Sequence, residues 1–301
     1  MGISQYIKEI GRGKDGARAL PRAQAADLLG QVLDGQVTDL EIGAFCLAMR
    51  IKGETPEEAA GFLDAIHARL QHFPASTRPV VVLPSSNGAR RLPVLTPLLA
   101  QLLAREGLPV LVHGAATETR RVYASDVLLA SGIAHATAIE KIAPGQVVFA
   151  PTALLCPALQ RLLEVRRVVG LRNPAHSLVK LMNPCAGPSL LVSSYTHPEY
   201  AISMAATFAL VGANALLLRG TEGEPVADPR RIPAMTGLLR GQVVLTQEVQ
   251  AGSLATLPDL PHETDAAGTA AYNAAVLRGD QPVPAPIARQ VEHILHMVAQ
   301  L

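Results

Sequence analysis

The sequence predicts a small N-terminal helical domain followed by a larger α/β domain with a mainly parallel central sheet. Three observations carry that expectation. Residues 1 to about 72 show helical periodicity and no strand-like run. Beyond a hinge at Pro74-Ala75-Ser76-Thr77-Arg78-Pro79, β-branched runs alternate with apolar helical segments. The stretch from Pro79 to Gly132 reads as strand, glycine-bearing loop, helix, strand and loop. That is a βαβ unit, in which loops at the carboxyl ends of the strands hold the ligand.

In the first domain, helices are expected over Ser4 to Ile10, Pro21 to Asp34 and Asp39 to Arg50, with Gly11 and Gly35 as breaks. The next helix has the clearest start signal. Thr55 stands as N-cap, Pro56 at the first helical position, and Glu58 reaches back from the third. Ala59, Phe62, Leu63 and Ile66 then form its apolar face. In the second domain, strands are expected at 80–83, 109–112, 146–149, 190–194, 215–218 and 242–245. Helices are expected at 94–106, 124–131, 152–168, 198–211, 264–278 and 285–299. Gly252, Pro258 and Pro261 mark 250–263 as a loop. The domain boundary falls at 75/76, with residues about 170–184 expected to pack back on the helical domain.

Composition narrows the function. A chain of 301 residues, 49% hydrophobic and 17% charged, can bury a large core. The net charge of +1 excludes a polycation, so a polyanionic partner would need local clustering of charge. Aromatics make up 3% and Trp is absent, which keeps any base-stacking surface small. Cys46, Cys156 and Cys185 are far apart, without metal-ligand spacing, as expected of free thiols in a reducing cytoplasm. No export segment is read at the N-terminus. The most apolar region, Ala201 to Leu218, reads as a buried helix feeding a strand, too interrupted to span a bilayer. The expected localisation is cytoplasmic, with no membrane partner.

The chemistry-bearing residues are mostly arginines. Arg90 and Arg91 lie on the first loop of the βαβ unit, and Arg120 and Arg121 on the second. Arg166, Arg167, Arg172 and Lys180 follow, then Arg230 and Arg231. Within 90–121 only Glu106 and Glu118 oppose them. For each arginine the alternative is an ordinary solvated surface residue paired with a carboxylate. The two loop pairs together favour a groove for a chain of phosphates. Arg172, His176 and Lys180 fit successive turns of one helix face, expected to line a cleft. Tyr123 is either a stacking residue or a packing one. His113, at a strand end, is either an acid–base group or a turn histidine held by backbone hydrogen bonds. His197-Pro198-Glu199 reads as a strand-to-helix junction.

The run Met49-Arg50-Ile51-Lys52-Gly53-Glu54-Thr55-Pro56-Glu57-Glu58, with Gly61-Phe62 after it, closely resembles the helical domain of anthranilate phosphoribosyltransferase, which pyrimidine nucleoside phosphorylases share. The resemblance continues through His113-Gly114, Asp126-Val127-Leu128, Phe149-Ala150-Pro151, Gly170-Leu171-Arg172 and Asn183-Pro184. It implies a dimerising helical domain beside an α/β domain, with the active cleft between them. The positions that carry the family's chemistry depart from its pattern. Its Gly-Thr-Gly-Gly-Asp diphosphate loop falls on Pro84, Ser85, Ser86, Asn87 and Gly88, where Pro84 has no N–H to donate. The Asn-x-Ser-Thr motif becomes Val94-Leu95-Thr96-Pro97, and Lys-His-Gly-Asn-Arg becomes Val112-His113-Gly114-Ala115-Ala116. Ser85, Ser86, Asn87, Gly88, Thr96, His113 and Gly114 thus form a vestigial phosphate loop. The Asp-Glu pair that holds Mg²⁺ survives only as Glu222 and Glu224, weak candidates for a metal.

These departures match the divergent YbiB-type branch, marked by Leu92-Pro93-x-Leu95-Thr96-Pro97 and the run Arg219 to Glu224. That resemblance implies sequence-independent nucleic-acid binding on the transferase scaffold; with the arginine loops, the favoured reading is a homodimer that grips single-stranded DNA or RNA without turnover or cofactor. Arg90, Arg91, Arg120, Arg121, Arg166, Arg172, His176 and Lys180 are the expected contacts. The alternative is a Mg²⁺-dependent phosphoribosyltransferase or nucleoside phosphorylase with an altered loop. A third reading is an oligomeric scaffold with an idle cleft.

Overall fold

The computed structural model describes residues 2–13, 15–252 and 257–301. Four helices come first: α1 Ser4–Ile10, α2 Arg22–Leu33, α3 Asp39–Lys52 and α4 Pro56–His67. Strand and helix then alternate through β1 Val80–Pro84, α5 Thr96–Arg105, β2 Val110–Gly114, α6 Ala124–Ala130 and β3 Val147–Pro151. Three helices follow, α7 Thr152–Leu155, α8 Pro157–Val169 and α9 Ala175–Leu178. The chain closes with β4 Ser189–Tyr195, α10 Pro198–Leu210, β5 Ala215–Arg219, β6 Met235–Leu239, β7 Gln242–Gln247, α11 Ala266–Arg278 and α12 Ala285–Val298.

Two compact units result. One holds Met1–Gln71 with Thr152–Pro184, the other His72–Pro151 with Cys185–Leu301. The helical unit therefore takes a second segment starting at Thr152, where the sequence reading placed only about 170–184 with it. Within this unit α2 packs on α4 and α1 on α3. Phe45 and Phe62 meet edge-to-face at 6.0 Å in its core.

The α4 start is built as the sequence requires. Thr55 accepts from the Glu58 amide at 3.3 Å, and Glu58 accepts from the Thr55 amide at 2.9 Å. Glu58 is fully buried, and it also takes Lys52 Nζ at 2.6 Å and the Leu20 amide at 3.0 Å. One carboxylate thus fastens the α3–α4 turn and the entry to α2. Thr55→Ala is expected to lower stability by about 1 kcal/mol, the usual cost of a lost N-cap, measurable by urea denaturation. An unchanged midpoint would mean that Glu58 holds the turn alone.

The α/β unit is a single seven-stranded sheet in the order β3-β2-β1-β4-β5-β6-β7. The first five strands are parallel, and β6 and β7 run antiparallel at one edge. Strand β6 is not expected from the sequence because Thr236 and Gly237 interrupt its apolar run, Met-Thr-Gly-Leu-Leu. The signal was present in Arg240-Gly241, both at positive φ (50° and 77°), the two-residue turn that joins a hairpin. Alternate strand residues Val81, Leu83, Val110, Val112, Leu190, Val192, Leu216 and Leu218 share one core cluster with Leu98, Leu99 and Leu103 of α5 and Ile294 of α12.

Three expectations are corrected here. The helix expected over 152–168 is broken at Cys156, which is extended (φ −153°, ψ 90°) because Pro157 disfavours helical geometry in the residue before it. Ala201 to Leu218 does feed a strand, but α10 buries only one face: Met204, Thr207 and Phe208 are inside while Ile202 is exposed. The third concerns Arg172, His176 and Lys180. Helix α9 spans four residues only, so Arg172 precedes it, Lys180 follows it, and the three share no continuous helix face. Gly170 ends α8 in the left-handed conformation, and Asn173 Oδ1 accepts from the Ala175 amide at 3.1 Å, turning the chain locally instead. In the expected loop 250–263, residues 253–256 lie outside the described residues; the rest forms no helix or strand.

Candidate functional site

Parallel strands β1, β2, β4 and β5 end side by side, so the loops after them share one edge of the α/β unit. The loop after β1 contains the vestigial phosphate loop, and its donors are already engaged. Glu224, 1% exposed, sends its carboxylate into it. One oxygen accepts from the amides of Asn87 at 2.9 Å and Gly88 at 2.8 Å. The other accepts from the Ser85 hydroxyl and from Thr96 Oγ1 at 3.1 Å. Two amides and two hydroxyls converging on an anion form the kind of cradle that binds a phosphate. Here the anion belongs to the chain itself.

Glu222 does related work. Its Oε2 accepts from the amides of Arg90 at 2.8 Å and Arg91 at 3.3 Å, and its carbonyl accepts from Asn87 Nδ2 at 3.1 Å. Both carboxylates considered for a metal are therefore committed to the loop. Among the described residues no cluster of three or more His, Cys, Asp or Glu could hold a metal ion.

Close backbone approach makes this assembly possible. A Cβ on Gly114 would lie 1.9 Å from the Ser85 carbonyl, so only glycine lets β2 end against the loop. Gly88 has φ 63° and sits under Val122. The loops after β1 and β2 are zipped together, Ala89 and Val122 exchanging backbone hydrogen bonds at 2.9 and 3.1 Å. Ser86 Oγ accepts from the Ala115 amide at 3.3 Å. His113 is fully buried in β2 rather than in a turn, its carbonyl accepting from the Ser85 amide at 2.7 Å.

The two arginine pairs sit on this zipped body and divide by role. Arg90 is ion-paired with Glu118, and Arg121 approaches the same carboxylate at 3.2 Å while donating to the Gly88 carbonyl at 3.1 Å. Glu118 is thus the counter-charge of one arginine from each loop. Arg91 and Arg120 are exposed and form no ion pair among the described residues. Tyr123 is a packing residue. It is 4% exposed, and its hydroxyl accepts from the Thr117 and Glu118 amides and donates to the Glu118 carbonyl. Farther along the edge, Arg230 is paired with Asp228 at 2.7 Å, and Arg231 donates to the Gly252 carbonyl at 2.8 Å.

The sequence reading passed over Arg219 as a contact. It is exposed at the last rung of β5, opposite Tyr195 of β4. Its position at the carboxyl end of an apolar strand, Ala-Leu-Leu-Leu-Arg, was the available signal. Over 85–95, 115–123 and 219–231 the edge carries seven arginines and four carboxylates, one of the four being Glu224 in its cradle.

The remaining expected contacts belong to the helical unit. Arg166 is half-buried in the last turn of α8, and Arg167 beside it is exposed. Arg172, His176 and Lys180 are half-buried, with His176 Nδ1 lying 3.3 Å from the Asn173 carbonyl and side-chain oxygens. The three cysteines are free. Burial pushes the Cys46 thiol up to about 11 and the Cys185 thiol up to about 12, so neither is a thiolate near neutrality.

Known proteins resemble this chain in sequence and fold. Residues 4–69 match the helical bundle domain of the glycosyl transferase family. The uncharacterized protein YbiB of Escherichia coli (strain K12) is 39% identical over 298 residues, covering 97% of this chain and 92% of YbiB. Anthranilate phosphoribosyltransferase of Beijerinckia indica is 27% identical over 280 residues, 91% of this chain and 79% of that protein. The fold matches that of anthranilate phosphoribosyltransferase (TrpD) from Thermus thermophilus with a TM-score of 0.72 at 20% identity, covering 95% of this chain and 85% of that one. It also matches the Saccharomyces cerevisiae enzyme in complex with PRPP and Mg, with a TM-score of 0.69 at 15% identity over 99% of this chain and 89% of that one. No helix among the described residues is long and apolar enough to cross a membrane. The chain belongs to the anthranilate phosphoribosyltransferase-like family, in the company of YbiB.

Proposed function

We infer that this protein binds single-stranded nucleic acid without reading its bases, as a homodimer on a phosphoribosyltransferase-like scaffold. One observation carries the reading: the small-anion loop is filled from within by Glu224, while Arg91 and Arg120 stand exposed on its outer side without an ion pair among the described residues. A sugar diphosphate and its Mg²⁺ do not fit these residues, because the amides and carboxylates they would use are bonded to one another. A longer polyanion needs no such pocket. It gains affinity from several phosphates lying on exposed cations and the counterions they release.

Fluorescence anisotropy with a labelled single-stranded oligonucleotide is the test, run across salt with and without phosphoribosyl pyrophosphate and Mg²⁺. The expected result is binding that weakens steeply with salt, depends little on base sequence and ignores the small ligand. Heat on titrating phosphoribosyl pyrophosphate with Mg²⁺, or competition by it, would move the reading to a transferase.

Helix α3 supports the dimer. Leu40, Leu47 and Ile51 fall on one face of this helix and are 83%, 46% and 63% exposed, an apolar stripe that a second copy would cover. Leu47→Glu with Ile51→Glu is expected to yield a monomer by light scattering, with the helical content unchanged. A parent protein already monomeric at micromolar concentration would remove this part of the reading.

A further inference from the structure

The same edge also carries two exposed rings. Strand β4 ends at Tyr195, and His197 is the N-cap of α10, with Tyr200 in its first turn. His197 is exposed and Tyr200 is 39% exposed, in a chain that holds only five tyrosines and no tryptophan. The two rings touch one another, centroids 6.3 Å apart and planes at 53°. Their backbone is fixed by the helix start: Pro198 sets the first helical position and the Tyr200 amide donates to the His197 carbonyl at 3.0 Å. Arg219 ends the neighbouring strand, in register with Tyr195. Ser194 Oγ donates to the Gly223 carbonyl at 2.7 Å, which joins the end of β4 to the turn whose Glu222 and Glu224 hold the arginine loop.

An aromatic face beside a cation on the rim of a basic edge is what one nucleotide of an unpaired strand requires. The ring takes the base and the arginine takes its phosphate. Stacking of this kind accepts every base, since each has a π-face, but it is denied to a base already stacked in a duplex. We propose that His197 and Tyr200 form a stacking site for an unpaired base of a nucleic-acid strand whose phosphates run along Arg219, Arg91 and Arg120. This rests on the nucleic-acid reading and adds the source of its preference for single strands. Tyr200 supplies the stacking face and His197 closes its edge; Arg219 sets the register between base and backbone.

The test compares the full chain on three labelled probes of equal length: a thymidine oligonucleotide, the same backbone with abasic residues, and a duplex. Base stacking is worth roughly 1–3 kcal/mol per base, so the thymidine strand should bind the parent about 5- to 150-fold more tightly than the abasic one. Tyr200→Ala with His197→Ala should abolish that ratio and leave the salt slope on the abasic strand unchanged. Tyr200→Phe should retain the ratio. Because the chain has no tryptophan, its emission is that of tyrosine, and the thymidine strand should quench part of it in the parent but less in Tyr200→Phe. Equal affinity of the parent for base-bearing and abasic strands overturns the stacking site while leaving the electrostatic reading intact. A preserved ratio in the double alanine variant overturns it as well. Absence of binding to every probe at low salt overturns both.

Discussion

Glu224→Ala is expected to destabilise the protein by about 4 kcal/mol, the largest effect of any single substitution at the carboxyl edge. The amides of Asn87 and Gly88 are buried and have no acceptor but this carboxylate among the described residues, and the hydroxyls of Ser85 and Thr96 converge on its other oxygen. A buried donor left without a partner costs about 1–3 kcal/mol, more when the lost acceptor was charged. The hydroxyls can turn elsewhere, but the amides are fixed by the backbone. Glu224→Gln keeps the shape and one acceptor, and its loss should be smaller. The alanine variant also reopens the cradle. Orthophosphate at millimolar concentration should therefore raise its melting temperature, since an anion that binds only the folded state stabilises it by RT ln(1 + [L]/Kd). The parent should show no such response. Urea denaturation and thermal melts with and without phosphate measure both effects. If Glu224→Ala stayed within about 1 kcal/mol of the parent and ignored phosphate, Glu224 would be a spacer rather than an internal anion.

That contact also shows where sequence reasoning stops. The Thr55–Glu58 capping box could be read directly, because its partners are three residues apart and the geometry of a helix start dictates their roles. Parallel strands β1, β2, β4 and β5 were legible for a similar reason: each is a compact apolar run bounded by turn residues. Ser85 and Glu224 are 139 positions apart, and no local pattern connects them. Pro84 and the bulky loop residues indicated that a diphosphate had lost its amides; the sequence held no sign that a carboxylate had taken them. The division among the arginines was hidden likewise. Arg90 and Arg91 are equivalent in sequence, yet one meets Glu118 and the other faces solvent. Helix α9 failed for a different reason. Spacing of i, i+4 implies a shared face only if the helix is long enough to hold both residues, and Ala175–Leu178 is not.

Arg91→Glu combined with Arg120→Glu should produce the largest change in nucleic-acid binding. Each phosphate contact to a single strand contributes about 0.7 to the slope of log affinity against log salt. Removing two contacts should flatten that slope by about 1.4 and, relative to 1 M salt where the counterion contribution vanishes, weaken binding about 25-fold at 0.1 M. Reversing the charges adds repulsion to that figure. The loss should be equal across base sequences, because neither arginine is asked to read a base. The comparison that isolates position from net charge is Arg105→Glu with Arg278→Glu. Both residues are exposed, and Arg105 donates to the Leu277 carbonyl at 2.8 Å, which places them together where α5 ends, away from the loops that follow β1 and β2. That pair changes the net charge by the same amount and should leave the slope unaltered, whereas equal losses from both pairs would mean that overall charge attracts the strand and that the loops after β1 and β2 do not hold it.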